Sequence, residues 1–349
     1  MNLVEQSLMS SSLTIHGTGL VALDIVTESS PEGTTYQWAG GTCGNVLTIL
    51  SYLGWNSFPI SRMDDSPHSN KAIQDMKSWG VNDLYLSLQP TASIPVIFEE
   101  IIPGKGSQPA RHKFHWRNCP NCNEWLPSYK AITLKASKFL KEDDTSCDVF
   151  FFDRVSPAAI DLAEFYKNKG SIIFFEPSAK GAANHLQRAL ELADIVKYSN
   201  QRFDCETLQS DKRPFLEIQT LGSEGLQYRV NSQGEWCSIP SFEVKKVLDS
   251  CGCGDWTTAG IISKLCTGTR EDLYSNNLDS IKDALSYGQA LGSWNCGFEG
   301  ARSGMYSMTK ETFENEICSI LETKSYEGSS HKPNIESSDT LNKCPLCPN

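Results

Sequence analysis

A chain of 349 residues that is 39% hydrophobic, with eight Trp and fifteen Phe, has the apolar mass of a large folded core and not the composition of a disordered segment. Its formal net charge of −11 argues against nucleic-acid binding as the main business, because Arg111, His112, Lys113 and Arg117 form only a local basic patch. No apolar run approaches the ~18–20 residues that span a bilayer, and Met1–Gln6 lacks the basic start of a signal peptide, so a cytoplasmic protein without membrane or nucleic-acid partners is expected.

Taken in order, Leu13–Ile15 and Gly19–Val26 read as an initial strand, and Asn45–Leu53 as a helix with apolar residues at helical spacing. The segment from Thr91 to Leu126 carries Pro95, Pro103, Pro109 and Pro120 among several aromatics, and reads as short strands and loops. Asp148–Phe152, Ser171–Phe175 and Asp194–Tyr198 are short apolar runs of the kind found in strands covered on both faces. Helices are expected between them over Ala158–Lys169 and Ala183–Ala193. Leu216–Thr220 and Gly225–Val230 alternate and read as a strand pair. This alternation of strand and helix is the pattern of a parallel sheet with crossover helices. The last 25 residues, rich in Ser, Lys, Glu and Asn, read as a flexible tail.

Asp249-Ser250-Cys251-Gly252-Cys253-Gly254-Asp255 opens the apolar run Trp256–Leu265. A helix start of this kind offers bare backbone N–H groups and the positive end of the helix dipole to an anion, with phosphate the obvious candidate. Asp255 is then a carboxylate beside a phosphate site, placed to take the proton of an attacking hydroxyl. By itself the same string also fits an ordinary loop ending in a capping Asp.

Over residues 13–310 the chain resembles the ribokinase-like (phosphofructokinase-B type) family of small-molecule kinases. The motifs that carry the resemblance are His16-Gly17-Thr18-Gly19-Leu20-Val21-Ala22-Leu23-Asp24, Ala39-Gly40-Gly41-Thr42-Cys43-Gly44-Asn45, Met63-Asp64-Asp65 with Trp79-Gly80-Val81, Thr220-Leu221-Gly222-Ser223-Glu224-Gly225, and Asp249 to Gly260, in the family's order. The resemblance implies an α/β fold, a three-layer α/β/α sandwich with a mainly parallel central sheet and a small β lid. It implies a kinase domain over 1–325, with a lid from about 27–40 and 91–130, and a tail over 326–349. Met63-Asp64-Asp65 falls at the family's acidic turn and Trp79-Gly80-Val81 at its next strand entry.

The resemblance further implies an ATP-dependent phosphotransferase acting on a hydroxymethyl group of a small sugar, sugar phosphate or nucleoside. In that reading Asp255 is the general base, Gly252, Cys253 and Gly254 form an anion hole, and Asp24, Gly41 and Asn45 hold the acceptor. Asn200, Thr220, Gly222 and Gly225 lie on the nucleotide side, with Gly297 and Gly300 as weaker candidates. ATP and Mg²⁺ are the expected cofactors, joined in some relatives by a monovalent cation. Phe114, Trp116 and Trp125 on the lid suit stacking on a base, although core packing is the better account of any one of them. A homodimer through the lid is a further expectation.

The chain also departs from the family pattern. Cys253 replaces an alanine, Ser250 a threonine, and Glu176-Pro177-Ser178 stands where many relatives have Asp-Pro-Asn. Counting from Asn200, the position of a glutamate that helps organise magnesium is Phe203, with Asp204 adjacent. This departure supports a competing reading, a catalytically weak or inactive protein that senses a nucleotide or metabolite or binds another protein.

Of thirteen cysteines, four form two Cys-Pro-x-Cys pairs, Cys119/Cys122 and Cys344/Cys347. Two such pairs complete a closed tetrahedral Zn²⁺ site, with a tail long enough to return to the lid. The alternatives are a Cys119/Cys122 site completed by His112 and His115, a redox pair, or a metal bridging two subunits.

Overall fold

The computed structural model describes residues 12–27, 35–87, 89–102, 111–178, 181–203, 214–231, 234–329, 333 and 347. The first elements are β1 (Thr14–Thr18), β2 (Ala22–Thr27), β3 (Thr35–Gly40), α1 (Thr42–Tyr52), β4 (Asn56–Ile60), α2 (Pro67–Ser78), β5 (Val96–Ile102) and β6 (Arg111–His115). There follow α3 (Leu134–Glu142), β7 (Val149–Phe152), α4 (Pro157–Asn168), β8 (Ile172–Phe175), α5 (Ala183–Leu192), β9 (Ile195–Ser199), β10 (Leu216–Thr220), β11 (Leu226–Val230), β12 (Cys237–Ile239) and β13 (Glu243–Val244). The chain closes with α6 (Cys253–Leu265), α7 (Arg270–Ser275), α8 (Leu278–Asn295), α9 (Ser303–Ser307), α10 (Lys310–Thr323) and β14 (Ser325–Tyr326).

Among the described residues, eight strands form one sheet in the order β12-β11-β10-β9-β8-β7-β1-β4. Its run from β4 to β10 is parallel, and β11 and β12 add an antiparallel edge. Phe150, Phe151, Phe152, Phe174 and Phe175 are fully buried because helices cover both faces of these central strands. One core face gathers Leu47, Phe151, Phe174 and Trp256, the other Phe150, Phe152, Tyr166 and Phe175.

A second sheet, in the order β3-β2-β5-β6, stands apart from the first and forms the lid. Here the structure corrects the initial-strand expectation: Gly19–Val26 does not continue β1, because the chain leaves the main sheet at Gly19 and residues 22–27 pair with β3 and β5. The lid therefore begins at Ala22. The strand expected after Trp79-Gly80-Val81 is also absent from residues 81–87. Asn82 and Asp83 interrupt the apolar run, and the segment only borders β4, where Asn82 N–H donates to Ser57 O at 2.9 Å and Ser61 N–H to Tyr85 O at 3.0 Å. Most of the tail, Cys344 included, lies outside the described residues, as do Asp204 and parts of the lid segments.

Parallel strands all end on one side of a sheet, and ligands of open α/β folds bind in the crevice there. α1 and α6 both start on that side, after Gly41 and Gly252, and neither start has a side-chain cap. The starts of these two packed helices thus converge, Asn45 of α1 meeting Asp255 of α6. No helix among the described residues is long and apolar enough to cross a membrane.

Candidate active site

Gly252 takes a left-handed conformation at φ 74°, and a Cβ there would stand 2.6 Å from the Cα of Ala301. Only glycine permits both that turn and that approach. The turn sets Cys253, Gly254 and Asp255 in the first helical turn of α6, where backbone N–H groups lack partners within the helix. The Cys253 N–H leans on Ser250 O at 3.4 Å, so the anion-facing donors of this turn are chiefly Gly252 and Gly254.

Asp255 is half-buried, and Asn45, from the first turn of α1, donates its Nδ2 to Asp255 Oδ2 at 2.7 Å. Burial and the neighbouring Glu176 raise the Asp255 carboxyl to about 7, against the pull of Asn45, Lys197 and Arg202, which favour the ionised form. Asp24, buried on β2, shares the same field. Burial first and then Glu99 raise it to about 8, while Arg302 draws it back. Gly41 N–H bonds to Asp24 as well. Asp24, Gly41, Asn45 and Asp255 therefore meet in one place, although 231 positions separate Asp24 from Asp255 in sequence.

Asn45 is held from behind. Its Oδ1 accepts from Arg302 Nε at 3.1 Å, and the same guanidinium donates to Ala39 O and, at 2.7 Å, to Asp75 Oδ2. Asp75 also accepts from Ala39 N–H at 2.9 Å and from Tyr306 O–H at 2.6 Å. Arg302 is fully buried, so its charge is supportable only because these acceptors surround it.

On the other side of Asp255, Lys197 projects from β9 and lies 3.8 Å from where a Cβ would stand on Gly254. It is buried against Glu176, with Nζ 2.7 Å from Oε1, and Thr258 Oγ1 donates to the other oxygen of Glu176 at 2.5 Å. Arg202 follows at the exposed mouth, near enough to lower the Asp255 carboxyl. Phe203 does not face the site. It is 3% exposed and packs in the core with Phe152, Phe175 and Tyr198.

The lid adds a third cluster. His112 sits between two buried carboxylates, its Nδ1 3.0 Å from Glu99 Oε1 and its Nε2 2.9 Å from Asp249 Oδ1. Asp249 and then Glu99 hold the imidazolium up to about 10. Asp249 in turn accepts from Cys251 N–H at 2.6 Å and Gly300 N–H at 2.7 Å, so one ion pair joins the lid to the glycine loop. His115 pairs with Glu100 at 3.3 Å.

The profile of the pfkB family of carbohydrate kinases matches residues 17–307. The chain belongs to this family. A fructokinase of Klebsiella pneumoniae is 22% identical over 296 residues, which cover 78% of this chain and 91% of the relative. Among solved structures, a Xylella fastidiosa fructokinase with bound ATP superposes with a TM-score of 0.68 at 18% identity, covering 89% of this chain and 98% of the other. An aminoimidazole riboside kinase of Salmonella enterica, bound to aminoimidazole riboside and an ATP analogue, gives a TM-score of 0.64 at 17% identity, covering 87% and 99%. The fold is ribokinase-like, and the protein is an ATP-dependent kinase with an alcohol group as acceptor.

The residues that the resemblance implies for the nucleotide side lie together where β9 and β10 end. Asn200 N–H donates to Thr220 O at 3.0 Å, Gly222 begins a short 3-10 turn over Gly222–Glu224, and Leu221 N–H donates to Gly225 O at 2.8 Å. Gly300 is occupied in bonding Asp249, and Gly297 packs against Tyr326. Phe114 stacks on His112 with ring centroids 5.5 Å apart, on the inner face of the lid, and remains 46% exposed. Trp116 and Trp125 are more exposed still.

Sequence reasoning passed over Lys197, Arg202, Arg302 and His112 as members of this constellation. Lys197 had a visible sign, as the one charge in the run Ile195-Val196-Lys197-Tyr198. Arg302 had none, since its partner Asp75 lies 227 positions away.

Proposed function

We propose that this kinase transfers the γ-phosphoryl group of ATP to a hydroxymethyl group of a small sugar, sugar phosphate or nucleoside. Asp24, Gly41 and Asn45 hold the acceptor, and Asp255 takes the proton of its reacting hydroxyl. The freed oxygen attacks the γ-phosphorus while the bond to the bridging oxygen of ADP breaks, and ADP leaves with that electron pair. Gly252 and Gly254 turn their N–H groups to the charge spread over the transferred group, the Cys253 N–H between them contributes less because it leans on Ser250 O, and Lys197 stands behind them as a fixed cation. Asn200, Thr220, Gly222 and Gly225 line the nucleotide edge.

Mg²⁺ accompanying ATP neutralises charge on the β- and γ-phosphates. Among the described residues, the stretch after β9 offers it the Asn200 amide and no carboxylate, so its contacts in this reading come mainly from the nucleotide. Replacing K⁺ by a bulky organic cation tests for a monovalent-cation requirement, and we assign a structural Zn²⁺ to the Cys-Pro-x-Cys pairs. Residues 1–325 act as the kinase domain with its lid, and 326–349 as a tail. The protein works in the cytoplasm, where its many thiols stay reduced. Pairing of two copies through the exposed Phe114, Trp116 and Trp125 of the lid is tested by light scattering during gel filtration.

The observation that carries this reading is a carboxyl raised to about 7, at the uncapped start of α6, within hydrogen-bond reach of Asn45. A general base is most effective with its pKa near the working pH. Against the competing sensor reading, Asp255 keeps its amide donor Asn45 and has Lys197 and Arg202 close by, the cations that a phosphoryl-transfer site uses. ADP release from Mg-ATP with pooled sugars, sugar phosphates and nucleosides tests the assignment. Turnover with one pool that drops ~10²–10⁴-fold in Asp255→Asn supports it, and silence across all pools from folded, ATP-binding protein refutes it.

A further inference from the structure

The phosphoryl transfer proposed above gives the two Cys-Pro-x-Cys pairs no part, and the structure brings Cys119 and Cys122 of the first together with Cys347 of the second. After β6 the chain forms a tight knuckle. Cys119 N–H donates to Glu124 O and Asn123 N–H to Cys119 O, both at 2.9 Å, and Asn118 bridges to Trp125. Within it the Asn121 N–H donates to Cys119 Sγ at 3.4 Å. Cys347, 228 positions later, returns to this knuckle with its Sγ 3.6 Å from Cys119 Sγ. The sulfurs of Cys119, Cys122 and Cys347 all lie within 4.8 Å of one another. Four sulfurs bound ~2.3 Å from a tetrahedral zinc stand about 3.8 Å apart, so the observed spacing suits a shared ion. The histidines weighed as alternative ligands are engaged elsewhere, His112 by Glu99 and Asp249 and His115 by Glu100.

The position of this cluster gives it a consequence. Side chains alternate across a strand, and β2 shows both faces at once. Asp24 and Val26 look inward, as do Glu99, His112 and Phe114 through the register of β5 and β6. Ile25 looks outward and packs with Val96, Phe98, Leu126, Cys119, Cys122 and Cys347. The sulfurs are thus seated on the outer face of the strand that carries Asp24 on its inner face.

We propose that Cys119, Cys122 and Cys347 bind Zn²⁺ as thiolates, and that this ion clasps the C-terminal tail to the outer face of the lid and stiffens β2 and β5 beneath it. Each thiol gives up its proton to solvent on binding, with no change of oxidation state. The part of the proposal that concerns acceptor binding rests on the kinase reading, whereas the metal site does not.

The test uses the full chain, purified without chelator after growth with zinc. Elemental analysis is expected to give about one zinc per chain, and Co²⁺ exchanged into the site to show the intense visible bands of a tetrahedral thiolate complex. Zinc should be lost from Cys119→Ser/Cys122→Ser and from Cys344→Ser/Cys347→Ser, with circular dichroism showing both variants folded. Zinc-free folded wild type, or a Cys119–Cys347 disulfide on non-reducing peptide mapping, overturns the site. Zinc retained by the Cys344→Ser/Cys347→Ser variant removes the tail from it. In that variant, hydrogen exchange over residues 22–27 and 96–102 should quicken, and acceptor KM should rise several-fold with ATP KM unchanged. Unaltered exchange refutes the clasp. A wild type that binds zinc and protects the lid yet phosphorylates nothing would sink the kinase reading alone.

Discussion

Replacing Asn45 by Leu separates two roles that the site gives one side chain. The Asn45 amide donates to Asp255 at 2.7 Å, a bond made best to the ionised carboxylate. Hydrogen bonds to charged groups contribute about 1.5–3 kcal/mol, and one pKa unit corresponds to about 1.36 kcal/mol. For a half-buried group the lower end applies, so losing this bond should move the Asp255 carboxyl up by about one unit from its present value near 7. The base works only when ionised, so the rise of kcat/KM with pH, a property of the free enzyme, should shift from about pH 7 to about pH 8. At pH 7 that shift costs about fivefold in kcat/KM, from roughly half ionised to about a tenth. The assay is initial-rate ADP release from pH 5.5 to 9.5 with wild type, Asn45→Leu and Asp255→Asn. An acidic limb that stays in place while only acceptor KM rises would refute the coupling to Asp255 and leave Asn45 as an acceptor contact alone. A limb surviving unchanged in Asp255→Asn would show that another group titrates there.

Two carboxylates with raised values, Asp24 buried and Asp255 half-buried, also make stability fall as pH rises. Asp24 at about 8 and Asp255 at about 7 keep protons that their unfolded counterparts lose near 3.8, so the native state binds more protons across that window, and the Tm of ligand-free protein should drop between pH 5 and 8, less steeply in Asp255→Asn. His112 carries the opposite sign. Raised to about 10, it contributes stability that is complete below about 6.5 and lost as pH climbs through 10, and His112→Gln, which strands Glu99 and Asp249, should cost about 2 kcal/mol in urea denaturation, less than the ~3–5 of a fully buried pair because the ring keeps some exposure. Cys253 and Cys296 hold their sulfurs 3.2 Å apart beside the anion hole, so hydrogen peroxide should join them, with loss of two protons and two electrons to give water, and should inactivate the kinase reversibly by dithiothreitol. The Cys296→Ser variant should withstand the same treatment, and equal inactivation of both proteins would place the oxidised group elsewhere.

What the sequence made legible was local chemistry. Runs such as Val149–Phe152 announce covered strands because every side chain is apolar, and the glycine loop announces an anion site because glycine allows what other residues forbid at Gly252. The lid strand was misplaced for an equally physical reason. Residues 22–27 are as apolar as a main-sheet strand, since Ile25 packs outward under the cysteines while Val26 packs inward under Trp38, and hydrophobicity alone does not say which sheet receives them. The departure at Phe203 stands among the described residues: no carboxylate follows Asn200 there, the Phe203 N–H folds back on Ser199 O, and the ring packs in the core.

The positioning residues were the least legible, and the reason bears on the mechanism. A buried Arg302 is tolerable only where Asp75, the Ala39 carbonyl and Asn45 all surround it, and those partners come from α2, β3 and α1. Such an assembly has no local pattern, because each member is ordinary within its own segment. It also cannot form until the lid strand β3 has docked between α1 and α2. The group that orients Asn45 on Asp255 is therefore tied to closure of the lid sheet on the main domain, and the outward-facing cysteine cluster is fixed to that same sheet through Ile25. In the proposed reading, acceptor grip, base orientation and the thiolate site share one structural element, so a change on the outer face of β2 should register as a change in acceptor KM on the inner one.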